Sequence, residues 1–233
     1  MKYIYHHLGL GDHFICHGLV RHFSTLYGHV SLFCYAHNLE SVSFMYRDNP
    51  NISLIQSDDG HASNYIRSNG LNDNDLLKVG HDYWHPDAKN FEESFYLQHG
   101  VSVDLKWDNF YVERDKEREQ KIMDQLGAEK DRYIFVHDDP SRDLHISEEQ
   151  IHNPQGLPII RPPKDLTGNI FDFCGLIENS NSAHFMDSSF GVMCDVMNLK
   201  SDDIYHHLTL ANGKKRDEPY CTSRPRLRYK TIE

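Results

Sequence analysis

Residues 177–199 read IENSNSAHFMDSSFGVMCDVMNL, and this stretch predicts a buried strand followed directly by a helix. Ala183 and Phe185 alternate as in a buried strand, while apolar side chains over residues 190–197 recur at helical spacing. Between them stand Asp187, Ser188 and Ser189, three successive residues of the types that cap helix N-termini. We therefore expect a helix to begin at about Ser188.

The start of this helix is a candidate anion site. The first N–H groups of a helix lack intrahelical acceptors, and the helix macrodipole adds positive potential at that end. The hydroxyls of Ser188 and Ser189 can add donors for the diphosphate of a nucleotide. An ordinary capped helix has the same sequence, so this stretch alone leaves both interpretations open.

A glycine-rich turn follows the first predicted strand, residues 3–8. Gly9-Leu10-Gly11-Asp12 leads into apolar residues that keep a helical period through Leu26. Two glycines allow a ligand to approach the backbone closely, and Asp12 can either cap the helix or face a cleft above the strand. The third glycine of a dinucleotide fingerprint is missing, so the turn does not predict dinucleotide binding.

Strands and short helices alternate along the rest of the chain, which predicts an α/β fold with parallel sheets. The other predicted strands cover residues 30–35, 52–55, 75–79, 133–137 and 157–161, and residues 204–208 are expected to form a further strand or a short helix. The other predicted helices cover residues 39–46, 61–68, 91–97, 113–130 and 169–177. The charge-rich helix that Gly127 closes resembles a domain junction, so we expect Rossmann-like halves at 1–130 and 131–233.

Composition limits the classes of function. A net charge of −11 over 233 residues argues against a nucleic-acid surface, since the only dense basic run is residues 224–230. No stretch is apolar over the length of a membrane span, and we expect a soluble intracellular protein. The five cysteines contain no CxxC pair and are expected to be reduced core residues. The seventeen histidines, including the doublets His6-His7 and His206-His207, are expected to be solvated or locally paired and not metal ligands.

Charged side chains near predicted strand and helix ends are further candidates. Arg142 follows the strand over residues 133–137, and its forked guanidinium suits a phosphate oxygen, although a neighbouring aspartate can pair with it equally well. Glu92 and Glu93 could act as bases on the acceptor side. A solvated acidic face is the more usual outcome near a helix start.

Several short motifs resemble one group of enzymes. Residues 9–12 (GLGD), with residues 19–21 (LVR), resemble the N-terminal signature of heptosyltransferase-like glycosyltransferases. Residues 171–177 (FDFCGLI), followed by residues 186–190 (MDSSF), resemble the donor-site signature that this group shares with fucosyltransferase-like enzymes. Residues 91–96 ahead of Lys106-Trp107 are similar to small glycosyltransferase-like proteins of bacterial and large-virus polysaccharide clusters.

The resemblance implies a GT-B architecture, in which two Rossmann-like halves face each other across an active-site cleft. It implies transfer of a sugar from a GDP-, UDP-, dTDP- or ADP-linked donor to a hydroxyl of a glycan acceptor, with inversion and without a metal or other cofactor. Asp12 matches the position of the catalytic base. The residues expected to bind the donor and its phosphates are Gly9, Gly11, Arg142, Arg161, Asp187, Ser188, Ser189 and Phe190.

Other classes of protein fit the same sequence. A binding module could keep a nucleotide or glycan site and lack catalysis, and a structural or assembly protein would have no nucleotide site. A Rossmann methyltransferase or epimerase would need a glycine fingerprint followed by an acidic ribose-binding residue, which the sequence does not offer.

Overall fold

A computed structural model describes residues 1–57, 62–81, 84–138, 144–186, 188–199, 201, 203–208 and 230–232. The chain divides into two compact units, Met1–Glu113 and Arg114–Glu233. Each unit contains one sheet, and every strand pairing in the described residues is parallel. The predicted α/β class, with two parallel sheets flanked by helices, is confirmed.

The first unit is built on a four-stranded sheet. Its strands are β1 (Lys2–Tyr5), β2 (Val30–Cys34), β3 (Ile52–Gln56) and β4 (Leu76–Lys78). Its helices are α1 (Leu10–Tyr27), α2 (Leu39–Met45), α3 (Ala62–Ser68), α4 (Phe91–Leu97) and α5 (Leu105–Asp108), with 3₁₀ turns at Ala36–Asn38 and Asp73–Asp75. The strand order is β3-β2-β1-β4, and Tyr3 of β1 lies opposite Ser31 and Leu76.

The core of the first unit forms because its central strands are covered on both faces. All of β2 is buried, as the near-continuous apolar run of a parallel strand requires. On one face, α3 contributes Ala62 and Ile66 to a cluster with Tyr3 and Phe33, and the Tyr65 ring packs edge-on against Phe33. This packing fixes β1 and therefore the loop that follows it.

The second unit is built on a five-stranded sheet. Its strands are β5 (Ile134–His137), β6 (Ile159–Ile160), β7 (Ser182–Met186), β8 (Asp203–His207) and β9 (Lys230–Ile232). Its helices are α6 (Lys116–Gln125), α7 (Cys174–Glu178) and α8 (Ser189–Met197), with 3₁₀ turns at Glu148–Gln150 and Ile170–Phe173. The strand order is β6-β5-β7-β8-β9, and Ile134, Val136 and Met186 form a core cluster with Ile146 and Ile151.

The division between the units falls after Glu113, earlier in the chain than the predicted boundary near residue 130. The charge-rich helix α6 belongs to the second unit because its charges bind there. Arg118 donates two hydrogen bonds to Asp172, at 2.8 and 2.7 Å, and Arg114 binds Glu178 at 2.8 and 2.7 Å. The charged residues that resembled a linker in the sequence therefore form tertiary ion pairs in the structure.

The two helix starts that the sequence predicted, one in the glycine-rich turn and one at Ser188, can be compared with the structure. The helix α8 begins at Ser189 with Ser188 as its N-cap residue, as predicted. The helix α1 begins at Leu10 with Gly9 as its N-cap residue, so Gly11 and Asp12 lie in its first turn and not in a separate loop. The cysteines within the described residues, Cys16, Cys34, Cys174 and Cys194, are free and buried, as predicted.

Two other expectations concern the chain ends and the membrane. In the part of the chain that the structure describes, no helix combines the length and the apolar character needed to cross a bilayer. The basic run over residues 224–230 lies outside the described residues except for Lys230, which begins β9 and binds Asp203 at 2.6 Å. Cys221 lies outside them as well.

Gly18 on α1 is expected to tolerate no side chain. A β-carbon at this position would lie 1.9 Å from the Leu105 carbonyl oxygen, because α1 and α5 pack with their backbones in close contact. We expect Gly18→Ala to reduce the free energy of unfolding by about 1–3 kcal/mol in urea titrations. Gly191→Ala on α8 is the matched control, since its β-carbon would meet nothing within 4 Å, and it should increase stability by up to about 1 kcal/mol. Equal effects would contradict the α1–α5 contact.

Candidate functional site

Both sheets contain a topological switch point, where the chain reverses its direction of progress across the sheet. In the first unit the order β3-β2-β1-β4 places the switch between β1 and β4. In the second unit the order β6-β5-β7-β8-β9 places it between β5 and β7. Ligands of such sheets bind outside the carboxyl ends of the strands at this point, so the residues after these four strands are the candidate site residues.

The loop between β1 and α1 is held in a strained conformation. Leu8 has a φ angle of 61°, in the left-handed region that residues with a β-carbon rarely occupy. Its N–H donates to Nδ1 of the buried His6 at 3.0 Å, and its carbonyl accepts a bond from Nδ2 of Asn38 at 3.0 Å. Strain of this kind is concentrated at ligand sites, where the surrounding structure fixes the backbone.

Asp12, in the first turn of α1, is the most chemically distinctive residue after this loop. Its Oδ2 lies 2.7 Å from the place a β-carbon would occupy on Gly9, so the end of the Asp12 side chain would have to shift if residue 9 carried one. Burial raises the pKa of Asp12, against the opposing effects of His7 and of the backbone N–H groups of Asp12 and Gly9. The environment therefore makes this carboxylate a better base than an exposed aspartate.

Two histidines lie near the carboxyl ends of β1 and β4, and one of them, His7, lies beside Asp12. Nδ1 of His7 is 3.9 Å from Oδ1 of Asp12, and its Nε2 is 3.0 Å from the Gly80 carbonyl oxygen. The His81 ring centroid lies 4.8 Å from that of His7. Sequence reasoning missed these neighbours, although a histidine doublet directly after the first strand was a usable signal.

The first doublet divides its two side chains between different environments. His6 is fully buried with its ring centroid 4.3 Å from that of His13, whereas His7 is partly exposed beside Asp12. Burial lowers the pKa of both His6 and His13. His6 is therefore not solvated but locally paired, since its Nδ1 accepts the Leu8 N–H and its ring lies against that of His13.

The second doublet, His206-His207, is also buried. Nε2 of His207 lies 3.0 Å from Nδ1 of His184 on the neighbouring strand β7, so this histidine is locally paired as predicted. Burial lowers the pKa of His184 to about 3 and that of His207 to about 4. Within the described ranges, no three histidine, cysteine or acidic side chains come together as a metal site.

The start of α8 carries the candidate phosphate donors of the second unit. Ser188 has an extended backbone, and its hydroxyl makes no capping bond among the described residues; instead it lies 3.4 Å from Nδ1 of His137. The Phe190 ring stacks on the His137 ring with a centroid distance of 3.8 Å. Ser189 opens the helix, and Asp187 lies outside the described residues. The carboxyl end of β5 and the start of α8 are thus joined at the switch point.

Arg161 is bound within the second unit. Its guanidinium donates to Asp138, the residue after β5, and to the Ile146 carbonyl at 2.6 Å. Burial raises the pKa of Asp138, but bonds from the Ile146 N–H and from Arg161 outweigh it and leave the pKa below its usual value. Arg161 therefore joins Asp138 to Ile146 at this edge of the sheet. Arg142 lies outside the described residues, so its phosphate role stays a prediction.

Glu92 and Glu93 are buried, and the expectation of a solvated acidic face is wrong for both. Glu93 lies in the first turn of α4, where its carboxylate accepts the Lys89 N–H at 2.8 Å while its own N–H donates to Asn90. The Asn90 side chain thus caps α4, and the Glu93 carboxylate ties the residue before the cap to the first turn. Glu92 binds Lys106 in the interior.

Comparison with known proteins shows a similarity in structure. No protein-family model matches the chain, and no curated protein matches it in sequence. The solved structure of the glycosyl transferase family 9 protein from Veillonella parvula DSM 2008 matches with a TM-score of 0.55 at 11% sequence identity. The match covers 89% of this chain and 80% of that one. The chain therefore has a glycosyltransferase-like fold of the GT-B kind.

Proposed function

We propose that the protein is a glycosyltransferase that moves a sugar from a nucleotide diphosphate sugar to a hydroxyl of a glycan acceptor. The observation that carries this proposal is Asp12, a carboxylate with a raised pKa at the switch point of the first sheet. Sugar transfer needs a base at this kind of position, because the acceptor hydroxyl must lose its proton as it attacks. The glycosyltransferase-like fold supports the same class of reaction.

In the proposed reaction, Asp12 takes the proton of the acceptor hydroxyl while the hydroxyl oxygen forms a bond to the anomeric carbon. The bond from that carbon to the diphosphate breaks, and the nucleoside diphosphate leaves with its electron pair. One displacement from the opposite face inverts the configuration. The leaving charge needs hydrogen-bond donors that are already in place.

Those donors are the N–H groups at the start of α8 and the hydroxyls of Ser188 and Ser189. The hydroxyl of Ser188 is not used for capping, which leaves it able to donate to a phosphate oxygen. Arg142 and, more weakly, Arg161 are proposed to add positive charge. With these donors the proposed reaction requires no divalent cation, and transfer should continue in EDTA.

A nucleotide panel tests the proposed function. Thermal unfolding is measured with GDP, UDP, dTDP, ADP and CMP, with and without magnesium, and release of nucleoside diphosphate is then measured with the matching donor sugars and glycan acceptors. A ligand at 100 times its Kd adds about 2.7 kcal/mol of stability, so one nucleotide should raise the midpoint clearly. No shift at millimolar concentration would contradict the proposal. Binding without transfer in any donor and acceptor combination would instead indicate a binding module.

Ser188→Ala combined with Ser189→Ala should weaken binding of the selected nucleotide about 10- to 100-fold, because a hydrogen bond to a charged group contributes about 1.5–3 kcal/mol. Titration calorimetry measures the change. Ser201→Ala is the matched control, since Ser201 precedes β8 at the amino ends of the strands of the same sheet, where its hydroxyl donates to the Asp203 carbonyl oxygen. Unchanged affinity in the double variant would remove the α8 start from the donor site.

A further inference from the structure

His7 has a hydrogen-bond arrangement that determines which of its ring nitrogens carries a proton. Its Nε2 lies 3.0 Å from the Gly80 carbonyl oxygen, and a carbonyl oxygen can only accept. Nε2 must therefore be the N–H of the ring. In the neutral imidazole, Nδ1 is then left with its lone pair.

This nitrogen, Nδ1, lies 3.9 Å from Oδ1 of Asp12. This distance is too long for a hydrogen bond, and a side-chain movement of about 1 Å would close it. Nδ1 can accept a proton from the Asp12 carboxyl group, and the imidazolium that results attracts the carboxylate, which agrees with the lowering effect of His7 on the pKa of Asp12. The arrangement thus favours a proton between the two side chains.

The other groups around this pair leave a route to solvent. The titratable groups packed nearby are His6 after β1, His81 after β4, and His13 and Cys16 on α1. The Phe95 ring of α4 meets the His7 ring edge-on, at 5.3 Å between centroids. Because 43% of the His7 side chain is exposed, this ring can pass a proton to water, while Asp12 is only 23% exposed.

We propose that His7 is a positioning residue that receives the proton collected by Asp12 and passes it to solvent. The inference rests on the proposed function, and the step is a proton relay. The O–H bond of the acceptor breaks, its proton moves to an Asp12 oxygen and then to Nδ1 of His7, and a carboxylate–imidazolium pair remains. The Gly80 carbonyl fixes the ring orientation for this transfer.

The pH profile of His7→Gln tests the relay. Glutamine keeps an N–H for the Gly80 carbonyl but cannot accept a proton. We expect protonation of His7 to set the acidic limb of the wild-type kcat profile, since a protonated ring cannot receive the proton from Asp12. In His7→Gln the limb should move toward the carboxyl range, and kcat should fall roughly tenfold or more, within the about 10²–10⁴-fold span of acid–base catalysis.

His29→Gln is the matched control. His29 directly precedes β2, at the amino ends of the strands and so at the end of the sheet opposite His7, and its Nε2 is 3.2 Å from the Ser53 hydroxyl. This variant should leave both kcat and the limb unchanged. A limb that stays in place in His7→Gln while kcat falls would show a structural role only and would overturn the relay.

A second readout separates this proposal from the proposed function. The Asp12 carboxyl carbon is followed by NMR across the pH range in the protein without substrate. Two titration steps are expected in the wild type, since coupled groups share their protons, and one step in His7→Gln. Identical curves would overturn the relay even if the enzyme transfers sugar. Two titration steps in a protein that transfers no sugar would support a proton shared between His7 and Asp12 and would contradict the proposed transferase function.

Discussion

Asp12→Asn is expected to reduce sugar transfer by about 10²–10⁴-fold while nucleotide affinity stays unchanged. Asparagine has the shape of aspartate and keeps an oxygen that can accept from the Gly9 N–H, but it cannot take a proton. The loss should therefore appear in kcat and not in donor binding. Steady-state kinetics together with calorimetry of the selected nucleotide measure the two quantities separately.

The same variant is expected to lose activity but to keep or gain thermal stability at neutral pH. The pKa of Asp12 is raised in the folded protein, so its favourable contribution is present at low pH and is lost as the pH rises through the folded pKa. At neutral pH the ionised, buried carboxylate is a cost. Asp12→Asn should therefore unfold at the same or a higher temperature than the wild type at pH 7, and the difference should narrow toward acidic pH.

Asp115→Asn provides the matched control for both measurements. Asp115 is the N-cap residue of α6, and its side chain accepts the Arg118 N–H at 3.0 Å, so the substitution makes the same chemical change at another helix start. It should leave transfer intact. Full transfer activity in Asp12→Asn would remove Asp12 from the mechanism, and a lower midpoint than the wild type would indicate that Asp12 acts mainly as a helix cap.

The sequence predicted the start of α8 well because two strong local signals agree there. The strand β7 is buried along its whole length, and Ser188 lies between it and an apolar helical period. The motif at residues 9–12 likewise selected Asp12. What the sequence did not predict is the environment of that carboxylate, since His7 is fixed by Gly80, a residue of a different strand loop far along the chain.

The errors share a physical cause. Charge patterns predicted a junction at α6 and a solvated face at α4, since charged side chains are usually exposed. In the structure, Arg118 binds Asp172 and Lys106 binds Glu92, in each case a residue of another element. The local sequence pattern shows the periodicity of a helix or strand, but it does not show which residue of another element will pair with a given charge. A charged side chain can be buried only where such a partner of opposite charge is present.

Lys106→Met is expected to reduce the free energy of unfolding by about 3–5 kcal/mol. Lys106 and Glu92 are 0% and 1% exposed, and 2.9 Å separates Nζ from Oε2. Removing the ammonium leaves the Glu92 carboxylate buried without its cation, and water cannot replace it. The pair also joins α4 to α5, so the loss should be visible in urea titrations as a lower midpoint at an unchanged slope.

Two further variants decide whether burial is the cause of this effect. Lys2→Met removes the cation of the Lys2–Asp75 pair, which has a similar length of 3.0 Å but side chains that are 24% and 40% exposed, and it should cost at most about 1 kcal/mol. The double variant Lys106→Met with Glu92→Gln removes both charges and should recover most of the stability, because a neutral amide costs far less to bury than a carboxylate. Equal losses for Lys106→Met and Lys2→Met, or a double variant no more stable than Lys106→Met, would contradict a buried ion pair between α4 and α5. Recovery in the double variant would mean that a neutral pair stabilises the unit nearly as well as the charged pair. The ion pair would then contribute mainly to the specific packing of α4 against α5 and little to net stability.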